Sequence, residues 1–186
     1  RSAQPAAEVQ TDRERRVFAV TAGSAVDVAN ISGDVRIAAG AGDSVVVETV
    51  RRRRSRGDEL RLEMRQVGNR VVVRVTGARS NRGNDTIDIT VTAPRDAAVV
   101  ARSVSGSVGL TGVDGESRLE TVSGDVDVTR AANLSLAKTV SDTVTVRQSD
   151  SAGTMTLGTV SGSVVAADLR ARGLDARAIF RHQVRT

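Results

Sequence analysis

The chain has 186 residues, a formal net charge of +5, and 39% hydrophobic but only 1% aromatic residues. It has no cysteine, which excludes disulfides and thiolate metal sites, and it has no Trp or Tyr to serve as stacking platforms for single-stranded nucleic acid. No apolar run reaches the length of about 18 residues that a membrane-spanning helix needs.

Residues 1–16, "RSAQPAAEVQTDRERR", are small and polar. This composition is typical of a flexible leader, like the segment that follows a cleaved signal peptide. The chain also begins without methionine, so we expect a processed protein or a fragment, and export is a hypothesis. Together with the family resemblance given below, this leads us to expect an extracytoplasmic location, in the periplasm or at the cell surface.

The next part of the chain predicts strands. Segments 17–20, "VFAV", and 24–40, with "NISGDV" at 30–35, predict an opening rung, and "AAGAGDS" at 38–44 predicts a glycine turn. Four further strand-like runs lie at 43–50, 59–67, 70–75 and 85–93, and Gly68-Asn69 is a typical two-residue hairpin turn. We expect these longer strands to widen the sheets that the repeats downstream form.

The loop "RRRRSRGD" at 51–58 carries the main charge cluster of the chain. Guanidinium groups pair well with phosphate, so one interpretation is a contact with envelope phosphates or another anionic polymer. The other interpretation is a solvated loop tip. The residues concerned are Arg51, Arg52, Arg53, Arg54 and Arg56.

Residues 99–180 repeat a unit of about 18 residues. "SVSGSV" at 103–108, "TVSGDV" at 121–126, "TVSDTV" at 139–144 and "TVSGSV" at 159–164 align column by column. One such unit is too small to bury its own apolar face, whereas stacked units bury valine against valine. The repeats therefore predict an all-β solenoid with rungs of about 18 residues.

Inside a repeat, apolar side chains recur at every second residue, which indicates half-buried strands. The side chains expected to face the interior of one repeat are Val122, Gly124, Val126 and Val128. A bend at Glu120-Thr121 would turn Leu119 inward as well, and a glycine inside a strand indicates a close approach of two backbones. Turns are predicted at 111–117 and 148–153.

The C-terminal segment fits a last, decayed rung. Leu174, Ala176 and Ile179 match the interior columns, although 166–179 is also the segment closest to a helical period. The tail 181–186 departs from the pattern and is either a cap or an interrupted rung. We expect a single domain over 17–180, with a long-strand part (17–98) and regular rungs (99–180).

These motifs together resemble a known family. The polar lead, the first "SGDV" rung, "DITVTAPRDAAVVARSVSGSV" at 88–108 and the V-S-G-[DS]-V rungs are similar to the bacterial putative-adhesin family DUF4097 over residues 17–180. The resemblance implies a right-handed, single-stranded β-helix-like fold, often behind a signal peptide or membrane anchor, and no catalytic residues. Asp142, which replaces a glycine, and the tail after Ile179 depart from the pattern.

No motif of the chain predicts a catalytic, cofactor or metal site. His182 has no nucleophile nearby in sequence, and Ser105, Ser123, Ser141 and Ser161 have no accompanying base, so we expect these serines to form a hydrogen-bonded ladder. Asp125 and Asp127 have a spacing that suits Ca²⁺, but the Gly-rich nonapeptide of calcium-binding β-rolls is missing, and we expect solvated carboxylates. The glycosylation sequons at Asn30 and Asn133 fall in predicted strands.

The preferred function is that of a non-enzymatic extracytoplasmic β-solenoid that acts in adhesion or envelope structure and contacts an envelope polymer, a surface or a protein. One alternative is a β-helix enzyme acting on acidic polysaccharide, which needs clustered carboxylates or a Tyr/His/Lys/Arg constellation. The other is a regulatory module that binds a membrane signalling partner. We expect no cofactor and no sequence-specific nucleic acid, and the oligomeric state is open.

Overall fold

The computed structural model describes residues 9–53, 60–77, 85–180 and 184–185, and its regular structure is entirely β, as predicted. The strands are β1 (Gln10–Ala19), β2 (Ala25–Ser32), β3 (Val35–Gly40), β4 (Ser44–Arg53), β5 (Arg61–Val67), β6 (Arg70–Thr76), β7 (Thr86–Pro94), β8 (Ala98–Ser105), β9 (Val108–Thr111), β10 (Glu116–Ser123), β11 (Val126–Thr129), β12 (Asn133–Lys138), β13 (Val144–Ser161), β14 (Val164–Phe180) and β15 (Val184–Arg185). The described residues form no helix that is long and apolar enough to cross a membrane.

One continuous sheet contains these strands and folds back on itself at β13. The first arm has the order β5-β6-β2-β8-β10-β12, and the second arm has the order β1-β4-β7-β3-β9-β11. Strand β13 joins the arms because its first residues pair with β11 while residues 156–158 pair with β12. Buried side chains from both arms form one hydrophobic core.

The sequence repeats lie side by side, parallel and in register, as predicted. One ladder consists of Val35, Val108, Val126, Val144 and Val164, and each of these side chains is at most 1% exposed. We call a first-arm strand together with the second-arm strand that follows it a rung. Within the described part of the chain, six rungs begin at β2, β8, β10, β12, the second half of β13 and the second half of β14.

The prediction that the leading valine of each repeat is buried is wrong. Val122 is 45% exposed, whereas Thr121 is only 5% exposed. Strand β10 runs without interruption to Ser123, so the predicted bend at Glu120-Thr121 is absent. The chain turns at Gly124 instead, where φ is +135°, and this corner resets the alternation so that Val126 faces the interior.

Gly33, Gly106 and Gly124 make the same corner in successive rungs, each with a positive φ. A Cβ on Gly124 would lie 2.5 Å from the carbonyl carbon of Gly106, and one on Gly106 would lie 2.6 Å from that of Gly33. The predicted close approach of two backbones is thus confirmed. The second backbone belongs to the adjacent rung.

Buried hydroxyl groups satisfy the carbonyl groups of this corner. The Oγ1 atoms of three threonines donate to the corner carbonyl one rung earlier: Thr121 to Gly106 (3.0 Å), Thr139 to Gly124 (2.9 Å) and Thr159 to Asp142 (3.0 Å). The hydroxyl ladder is therefore made of threonines that lie two positions before the predicted serines. Ser123, Ser141 and Ser161 are exposed.

We expect Thr139→Val to lower the free energy of unfolding by about 1–2 kcal/mol, because it leaves the carbonyl group of Gly124 without its buried donor. Ser103→Ala is the control, since Ser103 occupies the same column but its Oγ has no hydrogen-bond partner among the described residues. Urea denaturation measures both. If both variants lower the free energy of unfolding equally, the Thr139 hydroxyl does not stabilise the protein through this hydrogen bond.

The N-terminal strands extend both arms, as predicted. Strands β7 and β4 continue the second arm, and β6 and β5 continue the first as a hairpin that turns at Gly68-Asn69. Strand β1 begins at Gln10, so residues 10–16 of the predicted leader pair with β4. Its side chains are almost all exposed, and backbone pairing rather than apolar burial holds this segment, which explains why composition gave no sign of a strand.

The two edge strands β1 and β5 are joined by side chains. Arg16 Nη1 donates to the carbonyl oxygen of Met64 (3.3 Å), and Gln66 Nε2 donates to that of Ala19 (2.7 Å). These contacts leave the sheet nearly closed at the N-terminal end of the stack.

Strands β13 and β14 pair over most of their length, which corrects two expectations. The predicted turn at 148–153 lies within β13, which bends at Gln148 (φ +50°) and shifts register between Ser151 and Thr154. Segment 166–179, the closest to a helical period, is part of β14 and continues the rungs, but Leu174 (47% exposed) and Ile179 (66% exposed) do not lie in the interior as predicted. Beyond it, Val184 of β15 pairs with Val164 in the valine ladder.

A second corner with a left-handed backbone occurs in four successive rungs, after β9, after β11 and within β13 and β14. Gly112 (φ +74°) takes this conformation in one rung, and Arg130 (φ +54°), Gln148 and Asp168 (φ +53°) take it in the next three. Sequence spacing did not indicate this corner, since three of its four residues are not glycine.

Candidate binding surfaces

The outer surface of the second arm carries two rows of polar side chains, and we call it the threonine face. The first row, from β7 to β13, is Thr90, Arg36, Gly109, Asp127 and Thr145. The second row is Thr92, Ala38, Thr111, Thr129 and Arg147. Five of these ten positions are threonine, three of them in the second row, and strands lie about 4.8 Å apart and rows about 6.8 Å apart.

A shallow depression of about 510 Å³ interrupts the threonine face at Gly109. Gly109 provides no side chain, whereas its neighbours in the row are the Arg36 guanidinium on one side and the Asp127 carboxylate on the other. Burial, followed by the charge of Asp125, raises the pKa of Asp127 above its usual value, and Arg147 opposes this shift. The depression therefore offers one cation and one carboxylate within a surface of hydroxyl groups.

Several aspartates at the glycine corner bind the backbone of an adjacent rung. The Asp34 carboxylate accepts a hydrogen bond from the Ser107 amide (3.0 Å), and the Asp125 carboxylate accepts one from the Thr143 amide (3.0 Å). Asp125 thus has a structural role that the sequence did not indicate. Among the described residues, no three His, Cys, Asp or Glu side chains lie close enough to hold a metal ion.

The predicted arginine cluster is only partly within the described residues. Arg51 donates to the carbonyl oxygen of Leu60 (2.7 Å), Arg52 forms an ion pair with Asp88, and Arg53 lies 3.6 Å from the Asp12 carboxylate. These three side chains belong to β4, and their partners lie just before β5, in β7 and in β1. Arg54, Arg56 and His182 lie outside the described residues.

The outer surface of the first arm carries a row of β-branched apolar side chains, which we call the valine row. It consists of Ile31, Val104, Val122, Val140, Val160 and Ile179, one from each rung. Val104 and Val140 are each 38% exposed and Ile179 is 66% exposed, whereas Ile31 and Val160 are half-buried and Ile31 also packs against the core. Sequence reasoning placed the valines of this row in the core and therefore missed it as a surface.

A charged row lies beside the valine row, two residues earlier on each strand. Its members are Ala29, Arg102, Glu120, Lys138, Gly158 and Arg177. Arg102 Nε lies 3.5 Å from the Glu120 carboxylate and forms an ion pair with it. Lys138 pairs in register with Glu120 but makes no ion pair with any described residue.

The two sequon asparagines both lie in strands, as predicted. Asn30 is 4% exposed, and its Nδ2 donates to the carbonyl oxygens of Gly33 (3.0 Å) and Ile87 (2.8 Å). This side chain is part of the corner and is not accessible for modification.

Comparisons with known proteins identify the fold. No protein-family model and no curated protein sequence matches the chain. Among solved structures, the chain is similar to a "putative cell adhesion protein" from Clostridium sporogenes, with a TM-score of 0.53 and 8% identity over 89% of this chain and all of the other. A "putative adhesin" from Bacteroides fragilis matches with a TM-score of 0.36 and 10% identity over 90% of this chain and 94% of the other. At 8% identity, the first likeness shows a shared all-β fold and no more.

Proposed function

We propose that this protein is a non-enzymatic, adhesin-like binding protein of the cell envelope or cell surface. The proposal includes the finer fold that the resemblance to DUF4097 implies, a right-handed solenoid of single-stranded rungs. The in-register parallel ladder supports the stacking of rungs. The fold shared with a protein named for cell adhesion supports the functional class and the extracytoplasmic location.

The observation that carries the proposal is the threonine face. Hydroxyl groups both donate and accept hydrogen bonds, and this face places five threonines in two adjacent rows together with charged side chains. A polymer with its own regular hydroxyl or amide groups is able to contact many of them at once. Arg36 and Asp127 beside the Gly109 depression add a cation and an anion that orient such a polymer. We therefore propose an envelope glycan as the ligand of this face.

Filling the depression tests the proposal. Gly109 does not need a left-handed backbone, and the nearest atom to an added Cβ is the carbonyl oxygen of Asp127 at 3.9 Å, so Gly109→Gln should fold normally. We expect wild-type protein at low micromolar concentration to co-sediment with purified peptidoglycan sacculi. Gly109→Gln should weaken this binding about tenfold or more, because the new side chain occupies the space between Arg36 and Asp127.

Gly153→Gln is the matched control. Gly153 is exposed, it does not need a left-handed backbone, and an added Cβ there meets no atom within 4 Å. This variant should bind the sacculi like the wild type. The proposal is wrong if the wild-type protein does not bind, or if both glutamine variants lose binding equally.

We also propose that the arginine cluster contributes contacts to anionic polymer through Arg54 and Arg56. Arg51, Arg52 and Arg53 hold neighbouring strands and are better left unchanged in any test of this contact. Replacing Arg54 and Arg56 by Gln in the same assay should reduce the part of the binding that added salt removes.

A further inference from the structure

The valine row is an apolar surface with an unusual period. Its six side chains belong to adjacent parallel strands and repeat about every 4.8 Å over a length of about 24 Å. Side chains on one face of an extended peptide repeat about every 6.8 Å, and those on one face of a helix about every 5.4 Å. A second stack of strands is the partner whose side chains match the row along its whole length. The chain itself provides such a stack.

The charged row determines how two copies fit. In an antiparallel arrangement, the two-fold axis lies between Val122 and Val140, so that all six apolar side chains of each copy meet the other copy. Glu120 then faces Lys138 of the second copy, Arg102 faces Gly158, and Ala29 faces Arg177. Every charge meets an opposite charge or a small residue.

Other registers are less favourable. A shift that places the axis on Val122 sets Glu120 against Glu120 of the second copy and Arg102 against Lys138, and like charges in contact disfavour association. The central register also gives Lys138 the carboxylate that it lacks among the described residues of its own chain. A lipid surface fits less well, because membrane-binding faces use Trp, Phe and Leu and because Glu120 lies in the middle of the row.

We propose that the valine row is a self-association surface, at which two copies of this chain pack antiparallel with Glu120 of each copy against Lys138 of the other. This proposal does not depend on the glycan-binding function, which uses the opposite arm. The two rows cover about 350 Å² per copy, which is below the size of a standard stable interface. Dimers should therefore form in the range of tens to hundreds of micromolar.

A charge-exchange experiment tests both the surface and the register. Sedimentation equilibrium of the full chain should show a monomer–dimer equilibrium between about 10 µM and 1 mM. Glu120→Lys alone and Lys138→Glu alone should each weaken dimerisation about tenfold, since each places like charges in contact twice. An equimolar mixture of the two single variants should restore dimerisation. In the mixed dimer, the lysine introduced in one copy meets the glutamate introduced in the other, and the second contact keeps the native pair of Lys138 with Glu120.

Two further variants separate this surface from the rest of the molecule. Val122→Ser removes an exposed side chain at the centre of the row and should also weaken dimerisation about tenfold, whereas Thr111→Ser on the threonine face should have no effect. Circular dichroism and urea denaturation confirm that each variant is folded. A monomer at about 1 mM, a dimer that Val122→Ser leaves unchanged, or a mixture that fails to recover would each overturn the proposal. Binding to phosphatidylglycerol vesicles without self-association would overturn it as well.

Discussion

Gly124→Ala should lower the free energy of unfolding by about 3–5 kcal/mol. Two costs add at this position. The left-handed backbone, with φ at +135°, disfavours any side chain by about 1–2 kcal/mol, and the new Cβ would lie 2.5 Å from the carbonyl carbon of Gly106. The obstacle is backbone of the neighbouring rung, which cannot move away as a flexible side chain does. Urea denaturation of the two proteins measures the difference.

Gly112→Ala separates these two costs. Gly112 also has a positive φ (+74°), but an added Cβ there meets only the Cβ of Ala39, at an ordinary 3.7 Å. This variant should lose only about 1–2 kcal/mol. If Gly112→Ala and Gly124→Ala lose the same stability, the spacing of the rungs is not limited by the glycine corner.

Val126→Ala should cost about 2 kcal/mol, whereas Val122→Ala in the same rung should cost less than about 0.5 kcal/mol. Val126 is fully buried in the ladder between Val108 and Val144, and truncation leaves a cavity that both arms line. Val122 is 45% exposed and has little surface to lose. Because the substitution is the same at both positions, its intrinsic effect on strand propensity cancels.

The two valines also distinguish the structure from the sequence prediction, in which both face the core. If Val122→Ala and Val126→Ala lower the free energy of unfolding equally, both valines face the core as the sequence predicted. The apolar surface on which the self-association proposal rests would then not exist. The measurement should be made at low micromolar protein, where the monomer predominates.

The stacking of rungs could be predicted from sequence because identical columns recur at a nearly constant spacing. The orientation of Val122 could not. Valine occupies both the outward column and the inward column of every repeat, and the two columns are four residues apart, an even number that a continuous strand would place on one face. Only the corner at Gly124, with its left-handed backbone, shows that one of them points outward. The buried threonine in front of it gave a weak signal, because a hydroxyl in the core needs a partner.

The candidate surfaces were less accessible to sequence reasoning than the fold. The arginine cluster was visible as a run of charge, but pairing across strands was needed to show that Arg52 and Arg53 contact Asp88 and Asp12. The depression at Gly109 depends on which residues of β3 and β11 lie beside a glycine in β9, and that depends on register. The sequence column of Gly109 did indicate a gap in this surface, because a glycine stands there where the other repeats have arginine, aspartate and threonine.

The parallel, in-register ladder has a consequence for how this molecule changes size in evolution. Each middle rung touches only the rung before it and the rung after it, and successive rungs present nearly the same side chains to each other. Duplication or loss of one whole unit of about 18 residues therefore keeps the remaining junctions intact. The length of the outer faces, and with it the number of simultaneous contacts that a long ligand is able to make, is adjustable without any redesign of the interior.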